Sequence, residues 1–198
     1  DGGEMGRAQV VQAEAARLEP DVRMNPVLLK PTQDAKSQVI VLGRPTGNLS
    51  AKEYHREYKT KAWEVIKESM DYLTSTYEAL LIEGAGSPAE INLKENDVVN
   101  MKVAKELKSP VMLIADIDRG GAIASVVGTL ELLDEEERDL VKGIVINKFR
   151  GDIDLLKPAL DFIEEKTGKP VLGVVPYFAE IAIPEEDSVV IEKKSTKE

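Results

Sequence analysis

Three short stretches place carboxylates, glycines and cations directly after apolar runs, where a strand would give way to a loop. The first is Glu83-Gly84-Ala85-Gly86-Ser87-Pro88-Ala89-Glu90-Ile91-Asn92-Leu93, behind Ala79–Ile82. A carboxylate at a strand end, followed by two glycines that let backbone approach a ligand, suits a Mg2+–phosphate site. A carboxylate capping a tight turn would read the same way. The second is Asp116-Ile117-Asp118-Arg119-Gly120-Gly121-Ala122-Ile123-Ala124-Ser125, behind Val111–Ala115. Two acids, an arginine and paired glycines at a strand-to-helix junction could hold an anionic group through Arg119 and the helix N-terminus. The plainer reading has Asp118 capping that helix and Arg119 paired to a neighbour. The third is Asn147-Lys148-Phe149-Arg150-Gly151-Asp152, behind Gly143–Ile146. An Asn there offers both donor and acceptor to an adenine edge, and serves equally well as a turn residue. Val175-Pro176-Tyr177, after the last apolar run, either lines the same pocket or turns the chain.

The composition narrows the chemistry further. The 198 residues contain no Cys, so thiolate nucleophiles, thiolate zinc sites and iron–sulfur clusters are out. A single histidine, His55, rules out a two-histidine metal site. It sits one position past the apolar Tyr54 and reads as solvated. Acidic residues outnumber basic ones 36 to 26, for a net charge of −10. That balance opposes nucleic acid and anionic membrane surfaces as partners. No apolar run approaches the ~20 residues of a membrane helix, and the opening residues are unlike a signal peptide. The chain therefore reads as cytoplasmic. Asn48-Leu49-Ser50 matches a glycosylation sequon but is better read as the turn before a capped helix. Gly-x-x-x-x-Gly-Lys-Ser/Thr occurs nowhere, and the Gly168–Lys169 pair follows a helix and precedes Pro170.

The elements that must position these residues follow from periodicity. Val39–Leu42, Ala79–Ile82, Val111–Ala115, Gly143–Ile146 and Val171–Val175 are continuous apolar runs, as in strands covered on both faces of a parallel sheet. Tyr54, Tyr58, Ala62, Ile66, Met70 and Leu73 step by three or four, one helical stripe opened by a Ser50–Glu53 capping box. Asp134 with Glu137 makes a second capping box. Leu155, Ala159, Phe162 and Ile163 give a further helix, stopped at Gly168. Met5–Leu18 reads as a helix with no strand before it. Strand–helix alternation predicts an α/β fold, a mostly parallel sheet with helices on both faces, in one domain over 1–190. Residues 191–198 read as a charged tail or the start of a linker.

Taken in order, Gly2-Gly3-Glu4-Met5-Gly6-Arg7-Ala8-Gln9, Asn25-Pro26-Val27-Leu28-Leu29-Lys30-Pro31 and the three stretches above closely resemble the synthetase domain of the cobyric acid synthase family. These are glutamine-dependent amide ligases of cobalamin biosynthesis, and the resemblance covers Asp1 to about Val190. The domain is similar to dethiobiotin synthetase, a P-loop NTPase-type parallel sheet binding ATP and Mg2+ at its strand tips. The resemblance implies phosphorylation by ATP of the b, d, e and g side-chain carboxylates of adenosylcobyrinic acid a,c-diamide, followed by attack of ammonia. It implies Glu83 as a catalytic Mg2+ ligand, Glu4 as a second, looser metal-binding acid, and Asn147 with Pro176 at the adenine. It places Gly86, Ser87, Glu90, Asn92, Gly120 and Gly121, with catalytic Asp118 and Arg119, on the corrinoid and acyl-phosphate side.

The family pattern also implies a first strand with its Gly-rich phosphate loop ahead of Asp1. Behind residue 198 it implies a glutaminase domain that supplies ammonia. The chain then reads as an internal piece of a longer enzyme, inactive and weak in ATP binding by itself. A sheet lacking its first strand keeps an open edge, through which a homo-oligomer could form. Two other readings stand beside this one: the synthetase domain of another carboxylate ligase (cobyrinic acid a,c-diamide synthase or dethiobiotin synthetase), and a non-catalytic P-loop-like interaction module.

Overall fold

A computed structural model describes residues 2–31, 36–50, 59–92, 94 and 97–180. The chain divides into two compact units, one built on Asp1–Leu81 and the other on Ile82–Ile181.

In the first unit, helix α1 (Arg7–Ala15) leads into a three-stranded antiparallel sheet, β1 (Val27–Pro31), β2 (Lys36–Val41) and β3 (Arg44–Ser50), in the order β1-β2-β3. Leu42 (φ +45°) and Gly43 (φ +75°) make the β2–β3 turn, both at the positive φ that a tight hairpin favours. Gly43 has a second constraint: a Cβ there would sit 2.6 Å from Gly3 Cα and 2.9 Å from the Glu4 nitrogen. Val39 and Ile40 are fully buried, and the apolar run Val39–Leu42 is strand as far as Val41. Its partners are antiparallel, because connections of two and four residues are too short to join parallel strands. Helix α2 (Lys59–Thr76) buries Ala62, Ile66, Met70 and Leu73, the stripe that the spacing predicts. Tyr54, His55, Tyr58 and Glu53 of the expected capping box lie outside the described residues.

The second unit is the α/β part: a parallel sheet in the order β4 (Val111–Asp116), β5 (Val141–Phe149), β6 (Val171–Pro176). It is flanked by α3 (Met101–Leu107), α4 (Ala122–Leu132), α5 (Glu135–Leu140) and α6 (Ile153–Thr167). Its core gathers Ala115, Val126, Leu130, Val141, Ile144, Ile146, Leu156 and Ile163. Three local expectations are corrected here. Ala79–Ile82 forms no strand, and Leu81 is 94% exposed; an apolar run becomes a strand only beside a neighbour that takes its backbone hydrogen bonds. Strand β4 buries Leu113 and Ala115 against the core but leaves Met112 and Ile114 more than half exposed. On α6 the buried stripe is Leu156, Ala159, Leu160 and Ile163, with Leu155 and Phe162 outside. Both patterns have helical spacing, and packing on the sheet selects the one that continues i, i+3, i+4, i+7.

Helix ends follow local chemistry closely. Gly168 closes α6 in the left-handed region. Asp134 and Glu137 form the expected capping box on α5, with bonds of 2.9 and 3.0 Å. The bond from the Glu137 N–H, aided by Lys105 and Lys94, holds the Asp134 carboxyl below its ordinary 3.8 despite partial burial. Asp134→Ala is expected to cost about 1 kcal/mol in urea denaturation. Because the folded pKa is lowered, this contribution is complete above 3.8 and is lost as pH falls through the folded value. An unchanged stability at neutral pH would contradict the capping role.

Candidate functional site at the strand tips

In an open parallel sheet the carboxyl ends of the strands face a common edge, and loops there meet each other. Strand β5 is central, so its last residues reach both neighbours. The Ile117 N–H donates to the Asn147 carbonyl (3.1 Å), and the Tyr177 N–H donates to the Phe149 carbonyl (2.8 Å). Register agrees, pairing Asp116 with Asn147 and Phe149 with Pro176. Of the residues singled out by sequence, the structure thus brings together Asp118, Arg119, Gly120, Gly121, Asn147 and Pro176.

Side chains reinforce the junction. Lys148 Nζ donates to Asp116 Oδ2 at 2.8 Å, and Arg150 Nε donates to Asp118 Oδ1 at 2.9 Å. The Arg150 guanidinium lies 3.3 Å over the Tyr177 ring. Asp116 Oδ1 also accepts from the Asp118 N–H (3.0 Å), which shapes the turn before Gly120 and Gly121, both at positive φ. Helix α4 is capped by Gly121, not by Asp118, whose carboxylate is engaged by Arg150. Lys148 itself adopts φ +61°, a conformation that costs a side-chain-bearing residue roughly 1–2 kcal/mol. The Asn147 Oδ1 atom accepts the Lys148 N–H (2.9 Å), which offsets part of that cost. The hydrogen bond from Lys148 holds Asp116 below 3.8, and Asp116 in turn raises Lys148. Asp118 likewise raises Arg150.

The Glu83–Asn92 loop is positioned differently. It follows an irregular segment, and Asn100 fixes it: Asn100 Nδ2 donates to the Ala85 carbonyl (2.9 Å) while its Oδ1 accepts the Ala85 N–H (3.1 Å). Gly84 fits because a Cβ would collide with Asn100 Oδ1. Glu83, Gly86, Glu90 and Asn92 are exposed, and Ser87 Oγ accepts the Ala89 N–H (3.2 Å). Just beyond the loop, Lys94 pairs with the buried Glu137 at 2.7 Å. Glu4 belongs to the first unit, where its carboxylate pairs with Lys30.

Sequence reasoning gave no role to Lys148, Arg150 or Asn100. The first two stand inside the quoted Asn147–Asp152 stretch, and cations two residues apart on an apolar strand end were the available signal. Asn100 carries no local signal, since its partner is 15 residues away.

A family model described as an AAA domain matches residues 10–185. The chain belongs to the AAA domain family. The P-loop-like character of that family accords with the parallel sheet and its flanking helices. Among curated relatives, the cobyric acid synthase of Desulfitobacterium hafniense (strain DSM 10664 / DCB-2) is 68% identical over 98% of this chain. That of Moorella thermoacetica is 64% identical over 97%, and the probable cobyric acid synthase of Methanothermobacter thermautotrophicus 56% over 96%. The chain spans 37–38% of the length of these relatives. No solved structure matches. The resemblance carried by the five motifs is therefore borne out over nearly the whole chain. Among the described residues, no helix is long and apolar enough to cross a membrane.

Lys148→Met removes the cation that holds Asp116 low. The Asp116 carboxyl is expected to titrate closer to its ordinary 3.8 in NMR-monitored titration. With the folded pKa lowered, the pair stabilises above that value and ceases to as pH falls through the folded pKa. A midpoint unchanged by the substitution would show that the pair does not form.

Proposed function

We propose that this chain is the synthetase part of a cobyric acid synthase, an ATP-dependent amide ligase of cobalamin biosynthesis. The reading is carried by 68% identity to a protein of that name over 98% of the chain. The acids, glycines and cations gathered on neighbouring strand tips support it, since a scaffold has no need of them there.

The substrate proposed is a corrinoid carboxylate, the b, d, e and g side chains of adenosylcobyrinic acid a,c-diamide. A carboxylate is a poor electrophile, and phosphorylation turns one of its oxygens into a leaving group. The carboxylate oxygen forms a bond to the γ-phosphorus of ATP as the bridging oxygen leaves with ADP. Ammonia then adds to the acyl carbon, phosphate departs, and loss of a proton leaves the carboxamide. Ammonia comes from glutamine through a glutaminase domain, the partner proposed for the complete protein. Residues 1–190 form the synthetase part and 191–198 lead toward that domain.

Asn147 and Pro176 hold the adenine. Arg119, with the backbone of Gly120 and Gly121, receives anionic oxygens, and Asp118 shapes that turn. Gly86, Ser87, Glu90 and Asn92 face the corrinoid side. Among the described residues no group of three His, Cys, Asp or Glu side chains is placed to hold a metal ion. Glu83, exposed on its loop, would supply a carboxylate oxygen to a hard cation such as Mg2+. Glu4, paired with Lys30 in the first unit, is proposed separately as a metal-binding acid. When bound, Mg2+ neutralises phosphate charge and fixes the transferring group.

The test uses the protein expressed from its complete reading frame. Corrinoid carboxylate, ATP and glutamine should yield carboxamide, and Glu83→Gln should lower turnover by at least 100-fold with the fold unchanged by circular dichroism. Near-wild-type turnover of that variant would remove Glu83 from the site. Absence of amidation by the wild type would overturn the ligase reading.

A further inference from the structure

Arg150 touches more of the strand-tip junction than any single fold contact requires. It belongs to the loop after β5, pairs with Asp118 after β4 (2.9 Å), and stacks on Tyr177 after β6 (3.3 Å). A planar guanidinium can do both at once, donating in its plane while stacking its face on a ring; an ammonium has no flat face to stack. Arg150 and Asp118 side chains are 54% and 40% exposed. Pairs that open to water add little to stability, so holding the fold does not account for this arrangement.

Its two ends fall on different halves of the proposed site. Tyr177 follows Pro176 and is bonded through its N–H to Phe149, two residues from Asn147. Asp118 opens the Asp118–Gly121 turn. We propose that Arg150 is a positioning residue that couples nucleotide binding at Asn147 and Pro176 to binding of the carboxylate acceptor at Asp118–Gly121. The inference rests on the ligase reading above and goes beyond it. A base seated against Pro176 orders the Tyr177 ring, the ring orders the guanidinium, and the guanidinium holds Asp118. The second ligand then meets a turn already ordered. Such coupling is reciprocal: each ligand tightens the other by the same factor.

The experiment is calorimetry on the protein expressed from its complete reading frame. A non-hydrolysable ATP analogue and a corrinoid carboxylate are titrated separately and then each in the presence of the other. In the wild type each should tighten the other by roughly 5–10-fold, within the usual range of such couplings. Arg150→Ala and Tyr177→Leu should each bring that factor to about one. A merely structural role would weaken both ligands and leave the factor intact. Retention of the factor in either variant, or its absence from the wild type, overturns the proposal. If Arg150→Ala fails to fold, Tyr177→Leu alone decides. A wild type that binds neither ligand overturns the ligase reading, and this inference with it.

Discussion

The central position of β5 is the constraint from which the site follows. A strand with parallel neighbours on both sides ends within hydrogen-bond reach of two loops, and Asn147–Arg150 uses that reach four times. Backbone bonds from Ile117 and Tyr177 fix the spacing of the three tips. Lys148 and Arg150 then carry positive charge across to Asp116 and Asp118. Without those cations, two acids two residues apart at the end of β4 would repel each other and any phosphate brought near them. The left-handed backbone at Lys148 is the local cost of the arrangement.

The Glu83–Asn92 loop obeys a different constraint. Its carboxylate does not hang from a strand, so the loop's shape depends on Asn100, which binds both polar groups of the Ala85 peptide unit. Lys94 ties the following residues to Glu137, whose own backbone closes the α5 capping box. One buried carboxylate thus serves a helix start and a loop anchor together.

Much of this was legible in the sequence. The three parallel strands, the α2 stripe, the Asp134–Glu137 box and the Gly168 stop each depend on residues close in the chain, where propensity and pattern act directly. What failed depended on distant partners. Val39–Leu42 is as apolar as a parallel strand, but its direction is set by the turn at Leu42–Gly43. Ala79–Ile82 is apolar and finds no ladder among the described residues. Asp118 reads as a helix cap until Arg150, 32 residues away, is seen to take its carboxylate. The five motifs did lead to the cobyric acid synthases that the chain is similar to, because residue order carries more than any one spacing.

Hydrogen exchange on the protein expressed from its complete reading frame tests most directly whether these tips are the binding site. Addition of an ATP analogue and a corrinoid carboxylate together should slow exchange at Ile117, Asp118, Gly120, Lys148 and Tyr177. Protection confined to other residues, with these five unchanged, would contradict the account.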